Sequence, residues 1–201
     1  MKILLSCFFP ALLIAACHTG TPRLKELPPD AVVLAFGDSL TYGTGALPGQ
    51  SYPAVLQNLI SRTVISAGVP GETTAEGLAR LPQFLDKYRP AVVLLCLGAN
   101  DMLRGLDEGA AAENLKEMIR MAERQDAQVV LIGVPRPNLL VSTPEFYRQI
   151  ADEFSLPYLE NTMRDVLKKD SLKSDFIHPN AKGYRKLAEG IALFLRKSGA
   201  F

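Results

Sequence analysis

Four apolar runs, at residues 31–36, 63–66, 91–97 and 128–133, constrain this chain more than any other feature. They are continuous rather than alternating, and rich in Val, Ile and Leu. A strand with one wet face alternates apolar and polar residues, whereas a strand covered on both faces does not. The runs therefore predict buried strands of a parallel sheet, with a weaker fifth at 156–160. Helical spacing of apolar residues predicts helices over 52–61, 73–88, 106–124, 144–154, 161–169 and 181–197, and Pro82 predicts a kink or break in the second of these. Strand alternating with helix is the pattern of an α/β domain. In such sheets ligands meet the carboxyl ends of the strands, so the residues just after each run carry the functional question.

The first residues read differently. Met1-Lys2 is followed by an almost wholly apolar stretch that ends at Ala16. A membrane-spanning helix needs ~20 apolar residues, so this stretch predicts a secretory signal over 1–16 instead. The signal ends in Leu13-Ile14-Ala15-Ala16-Cys17, which resembles the lipobox of bacterial lipoproteins. That resemblance implies cleavage before Cys17, lipid on Cys17 and attachment to a membrane. With His18 rather than Asp after the cysteine, it further implies the outer membrane. The Pro- and Thr-rich segment 17–30 is predicted to be a tether, leaving 31–201 as one domain. Cys96, the one cysteine beyond this region, lies in an apolar run and has no partner for an internal disulfide. The net charge is +1, no basic tract stands out and Trp is absent. Nothing here argues for nucleic acid as a partner.

After the first run comes Phe36-Gly37-Asp38-Ser39-Leu40-Thr41. The second is followed by Ala67-Gly68-Val69-Pro70-Gly71, and the third by Gly98-Ala99-Asn100-Asp101. Late in the chain, Ser174-Asp175-Phe176-Ile177-His178-Pro179-Asn180 precedes the last helix. Of the two histidines, His18 lies in the predicted tether, so any imidazole chemistry falls to His178. Two histidines without a cysteine cluster make a poor zinc set, and no metal or cofactor is expected. Asp175, three residues earlier, can fix the His178 tautomer and leave the other ring nitrogen to take a proton from a hydroxyl. Ser39 needs such a base, because a serine hydroxyl is a poor nucleophile alone. Its surroundings lack the G-x-S-x-G spacing of a nucleophile elbow. Gly68, Asn100 and the Ser39 N–H can supply donors to a developing oxyanion. Taken singly, each residue also reads as a turn-former, a cap or a solvated loop side chain.

Taken together, "FGDSLTYGTGA", "AGVPGETT", "LGANDMLRG" and "DFIHPNAKGY" resemble, in order, the four signature blocks of the GDSL, or SGNH, hydrolases. The resemblance is greatest to bacterial envelope esterases with thioesterase and lysophospholipase activity. It implies a flavodoxin-like α/β/α fold with five parallel strands in the order 2-1-3-4-5. It implies Ser39 as nucleophile, His178 as general base and then acid, and Asp175 as its orienting carboxylate. Ser39, Gly68 and Asn100 would form the oxyanion hole. Two positions depart from the common pattern, with Ser66 where many relatives have Asn and Ala99 where others have Gly; neither carries a catalytic role.

The resemblance implies a serine esterase that cleaves acyl esters or thioesters of small or lipid-like substrates. The loop after the fourth run is more apolar than a solvated loop needs. Leu139, Leu140, Val141, Phe146 and Tyr147, with Met102 and Leu103, are predicted to wall an acyl-chain site. An O-acetylesterase acting on envelope polysaccharide or peptidoglycan is the alternative. A binding lipoprotein that has lost the chemistry is a third reading, disfavoured because every required residue is present.

Overall fold

The computed structural model describes residues 22–137 and 141–201. The predicted signal, Cys17, the first part of the tether, Leu139 and Leu140 lie outside the described residues. Five strands form one parallel sheet: β1 (Val32–Gly37), β2 (Thr63–Gly68), β3 (Val92–Cys96), β4 (Gln128–Ile132) and β5 (Tyr158–Leu159). Their order is β2-β1-β3-β4-β5, the one the family resemblance implies. β3 is buried along its whole length and β1 along all but its first residue, as continuous apolar runs require; β2, at the edge of the sheet, is only partly covered, with Thr63 and Ser66 exposed and Val64 and Ala67 buried.

Helices connect the strands: α1 (Ser39–Tyr42), α2 (Tyr52–Ile60), α3 (Thr74–Tyr88), α4 (Ala99–Leu103), α5 (Glu108–Glu123), α6 (Glu145–Glu153), α7 (Thr162–Leu167) and α8 (Ala181–Lys197). α2 packs with α8 and α3 with α5, giving a helical layer on each face of the sheet. α8 shows why: Leu187, Ile191 and Leu195 recur at helical spacing and are fully buried. Each such side chain contributes about 1.5–3 kcal/mol on burial. A short 3-10 turn, Asp170–Leu172, leads into the loop before α8.

Three expectations change. Pro82 does not interrupt α3, because it lies on the exposed side, where water can satisfy the Leu78 carbonyl that loses its N–H partner. α1 and α4 are one-turn helices too short to show a period in sequence. The segment 22–30 is not a free tether. Leu24 and Leu27 are buried, and their N–H groups donate to Ser198 and Ala200 carbonyls at 2.8 Å. Two leucines six residues or fewer from a Pro-Pro pair carry no periodicity, but they cover apolar surface at the end of α8.

Candidate active site

The strand order reverses between β1 and β3, and there the loops diverge to leave a crevice at the carboxyl edge. Ser39 is the first residue of α1, immediately after β1. Asp38 caps this helix, its carboxylate Oδ1 accepting from the Leu40 N–H at 2.9 Å. Gly37 makes the abrupt exit possible. A Cβ there would lie 2.3 Å from both the Cys96 carbonyl oxygen and Thr41 Oγ1, so only glycine lets α1 fold back on the sheet.

Gly68 ends β2 against the same helix. A Cβ at Gly68 would lie 2.1 Å from the Tyr42 nitrogen and 2.6 Å from the Thr41 carbonyl carbon. Asn100 lies in the first turn of α4, after β3. Its Nδ2 donates to the Glu72 carbonyl at 2.9 Å and lies 3.4 Å from Asp38 Oδ2. One amide hydrogen is thus committed to the β2–α3 loop, and the other is loosely held and can turn to a developing anion. Buried Asp101 accepts from the Thr74 N–H at 2.9 Å and the Thr74 hydroxyl at 2.6 Å. It ties α4 to the start of α3, and so keeps Asn100 in register with that loop.

The loop before α8 brings the distant part of the chain to Ser39. Asp175 Oδ1 accepts the N–H groups of Ile177 and His178 at 2.9 and 2.8 Å. Its Oδ2 lies 2.8 Å from His178 Nδ1. His178 Nε2 lies 3.1 Å from Ser39 Oγ, across 139 positions of sequence. Asn180 pins the loop from the other side, donating to the Ser171 and Lys173 carbonyls while its Oδ1 accepts from Gly183 to cap α8. Partial burial works against the Asp175 charge, yet the His178 ring and two backbone N–H groups outweigh it and hold this carboxyl below its ordinary range. An ionised Asp175 accepts from Nδ1–H, which leaves Nε2 bare and facing the hydroxyl.

Asp38 behaves oppositely. It is fully buried, and burial pushes its carboxyl up to about 7; the Leu40 N–H resists, and the Glu72 and Asp101 charges add to the rise. In the unfolded chain the same group ionises near 4. Its raised value means that its stabilising contribution is complete below pH ~4 and is lost as pH climbs through about 7. A rise of about three units corresponds to roughly 4 kcal/mol at most. Thermal melts of the wild type should therefore lose stability between pH 5 and pH 8, and Asp38→Asn should remove most of that slope. Parallel slopes in the two proteins would show that this carboxyl does not titrate with folding.

A cleft of about 360 Å³ opens beside Ser39, Asn100 and His178. Leu103, Val134, Val141, Leu167, Phe176 and Ile177 give it apolar walls. Of the predicted acyl wall, Leu103 and Val141 line it. Met102 and Phe146 pack on the core instead, and Tyr147 is fully buried with its hydroxyl donating to the Leu97 carbonyl at 2.6 Å. α6 turns its apolar stripe inward, which a reading of loop composition could not show. Phe176 and Ile177 were legible in sequence only as spacers between Asp175 and His178. Among the described residues, no three His, Cys, Asp or Glu side chains gather where they could share a metal ion.

The chain and its fold have counterparts among known proteins. The model of the GDSL-like lipase/acylhydrolase family matches residues 35–186. The chain is 31% identical over 198 residues to an arylesterase of Vibrio mimicus, covering 93% of this chain and 96% of that one. It is 30% identical over 168 residues to thioesterase 1/protease 1/lysophospholipase L1 of Escherichia coli K12, covering 80% and 81%. The crystal structure of the psychrotrophic esterase EstA from Pseudoalteromonas superposes with a TM-score of 0.75 at 26% identity, over 84% of this chain and 98% of that one. A hydroxyl, an imidazole and a carboxylate in line at a strand-order reversal, within a chain matched over most of its length, make this protein a member of the GDSL-like lipase/acylhydrolase family, a serine ester hydrolase.

Proposed function

We propose that the protein cleaves acyl esters or thioesters through an acyl-enzyme on Ser39. The observation that carries this reading is the 3.1 Å approach of His178 Nε2 to Ser39 Oγ, with Asp175 on Nδ1 at 2.8 Å. Nε2 takes the hydroxyl proton as Oγ attacks the carbonyl carbon. The tetrahedral oxyanion is met by the Ser39 N–H and the Asn100 amide. Gly68 is not a donor here, because Val69 N–H bonds the Gly37 carbonyl and the Gly68 N–H of the same strand therefore points away from β1. His178 then gives its proton to the departing alcohol or thiol. Water repeats the sequence in reverse roles: Nε2 takes its proton, its oxygen attacks the acyl carbon, and Ser39 leaves with the proton returned.

The cleft supports a substrate with an acyl chain longer than acetyl. Its volume and apolar walls favour hydrocarbon, while Arg136, Lys168 and Lys173 among its lining residues give the head of the substrate a polar setting. Across p-nitrophenyl esters from acetate to octanoate, KM should fall as the chain lengthens. A profile confined to acetate would favour an O-acetylesterase of envelope glycans, and a flat profile would detach the cleft from the acyl group.

A signal over 1–16 and lipid on Cys17 would make this an exported lipoprotein of the outer membrane, with incorporation of labelled fatty acid that Cys17→Ser abolishes. Leu24, Lys25 and Leu27 bond to Ser198, Gln128 and Ala200, and Arg62, just before β2, donates to the Pro28 carbonyl. These contacts lie at the amino ends of the strands, opposite Ser39. An anchor at Cys17 would thus hold the domain with the mouth of the cleft turned away from its own bilayer.

A further inference from the structure

We propose that the rim of the cleft is a docking face for a bilayer that carries anionic head groups, from which an acyl substrate passes to Ser39. The inference rests on the acyl-cleavage reading above and concerns how the substrate arrives. Among the described residues, seven large apolar or aromatic side chains are between 40% and 70% exposed. All but Leu193, near the end of α8, lie on one edge of the molecule. In a parallel sheet the connecting helices run back from the carboxyl ends of the strands, so the segment between each strand and its helix belongs to the carboxyl edge. Tyr42 and Leu47 lie between β1 and the body of α2, Val69 between β2 and α3, and Leu103 and Leu106 between β3 and α5. Phe176 lies in the loop that carries His178 and precedes α8. Isolated exposed leucines are ordinary on a folded surface, but a set gathered at one edge marks a contact site.

Two observations favour lipid as the occupant. The first is continuity with the acyl cleft, because Leu103 and Phe176 line the cleft and also face solvent at its mouth. A hydrocarbon chain leaving a bilayer therefore moves over apolar side chains into an apolar cleft, without a step through water. A soluble ester gains nothing from apolar surface outside the cleft, and a protein seated on the rim would close its mouth. The second observation is charge. Glu108 is matched by Arg136, Asp170 by Lys173 at 2.8 Å and Asp175 by the His178 ring at 2.8 Å. Lys168 lines the cleft, while Lys182 and Arg185, in the first two turns of α8, border Gly49 and Gln50 beside Leu47. Among the described residues, none of these three cations forms an ion pair. Leucine and phenylalanine with lysine and arginine beside them are the composition of a surface that lies in an anionic lipid interface. Leu24 and Leu27 dock at the opposite edge, so an anchor at Cys17 would leave this face open to a second bilayer.

The test uses the full chain with Cys17→Ser, so that no lipid anchor is added, and two double variants in that background: Leu47→Ser with Leu106→Ser, and Lys182→Glu with Arg185→Glu. Partition is measured by co-sedimentation with vesicles of phosphatidylcholine alone and of equal parts phosphatidylcholine and phosphatidylglycerol. Hydrolysis is measured on p-nitrophenyl dodecanoate carried in the same vesicles and on soluble p-nitrophenyl butyrate, with folded fraction determined for each protein. The parent should favour the phosphatidylglycerol vesicles. The charge variant should lose roughly 10- to 100-fold in partition to those vesicles and little to phosphatidylcholine alone. The leucine variant should lose roughly 10-fold or more on both. Vesicle-borne hydrolysis should fall with partition, while kcat/KM on the butyrate stays within about twofold, as expected of exposed side chains outside the cleft. Partition and vesicle-borne hydrolysis equal in parent and variants would overturn the proposal, as would a matching loss on the soluble ester. A dimer of the parent that the leucine variant dissociates would assign the rim to a second copy of the chain and overturn it too. A parent inactive on the butyrate would sink the acyl-cleavage reading instead, a result that partition reads independently. Should the leucine variant fail to fold, the charge variant decides, and failure of both to fold would make these side chains structural and overturn the docking face.

Discussion

Ser39→Ala should reduce kcat on p-nitrophenyl butyrate by about 10⁴- to 10⁶-fold while leaving Tm nearly unchanged. The hydroxyl is the atom that bonds to the acyl carbon, and no other side chain at the end of β1 can replace it. Among the described residues its one side-chain hydrogen bond is to His178, at 3.1 Å and only partly buried, so its removal opens little space and strands no deeply buried donor. His178→Ala should cost a similar factor alone and almost nothing more in the Ser39→Ala background, because a base without its nucleophile has no proton to take. Effects of residues that act as one unit do not add. Purified single and double variants, assayed with their folded fraction measured, check this. If the two losses multiplied, the 3.1 Å contact would not be a working pair.

Gly68→Ala should have the next largest effect, on both stability and turnover. The added methyl would lie 2.1 Å from the Tyr42 nitrogen and 2.6 Å from the Thr41 carbonyl carbon. Both are backbone atoms and cannot rotate away. Either β2 or α1 must shift, and α1 carries Ser39. Forced overpacking of this kind costs typically 1–3 kcal/mol or more. Displacement of the nucleophile from its base adds roughly 100-fold in kcat. Ser66→Ala, two residues earlier on the same strand, is the contrasting case. It removes only a 3.4 Å bond from Ser66 Oγ to the Thr41 carbonyl and should leave kcat within about twofold. Circular-dichroism melts and steady-state kinetics on the two variants separate the outcomes. A Gly68→Ala protein with wild-type turnover would show that this backbone does not press on the nucleophile's helix.

Much of the architecture was open to reading because it depends on local patterns. Strands buried on both faces leave continuous apolar runs, and α8 leaves a stripe of Leu187, Ile191 and Leu195. The chemistry-bearing residues were legible for a related reason: they sit at the ends of those runs, where sheet geometry exposes backbone and side chain together. Their company in four ordered blocks pointed to one family. The wall of the cleft was not legible. Tyr147 and Phe146 are as apolar as Phe176, and only the rotation of α6 decides which rings face the core. The docking of Leu24 and Leu27 was hidden too, since two leucines in a Pro-rich segment have no period to betray them.

The order of elements, the burial of the sheet and the identity of Ser39, Gly68, Asn100, Asp175 and His178 as candidates were determined by sequence alone, because each follows from contacts within about ten residues or from a motif carried in a short stretch. Tertiary structure decided the rest. Whether His178 lies 3.1 Å from a serine 139 positions away, whether Asp38 is sealed from water, and whether Tyr147 turns into the core all depend on how separate elements pack. Distances of that kind are set by side-chain volumes summed across the whole core, and no local pattern records the sum.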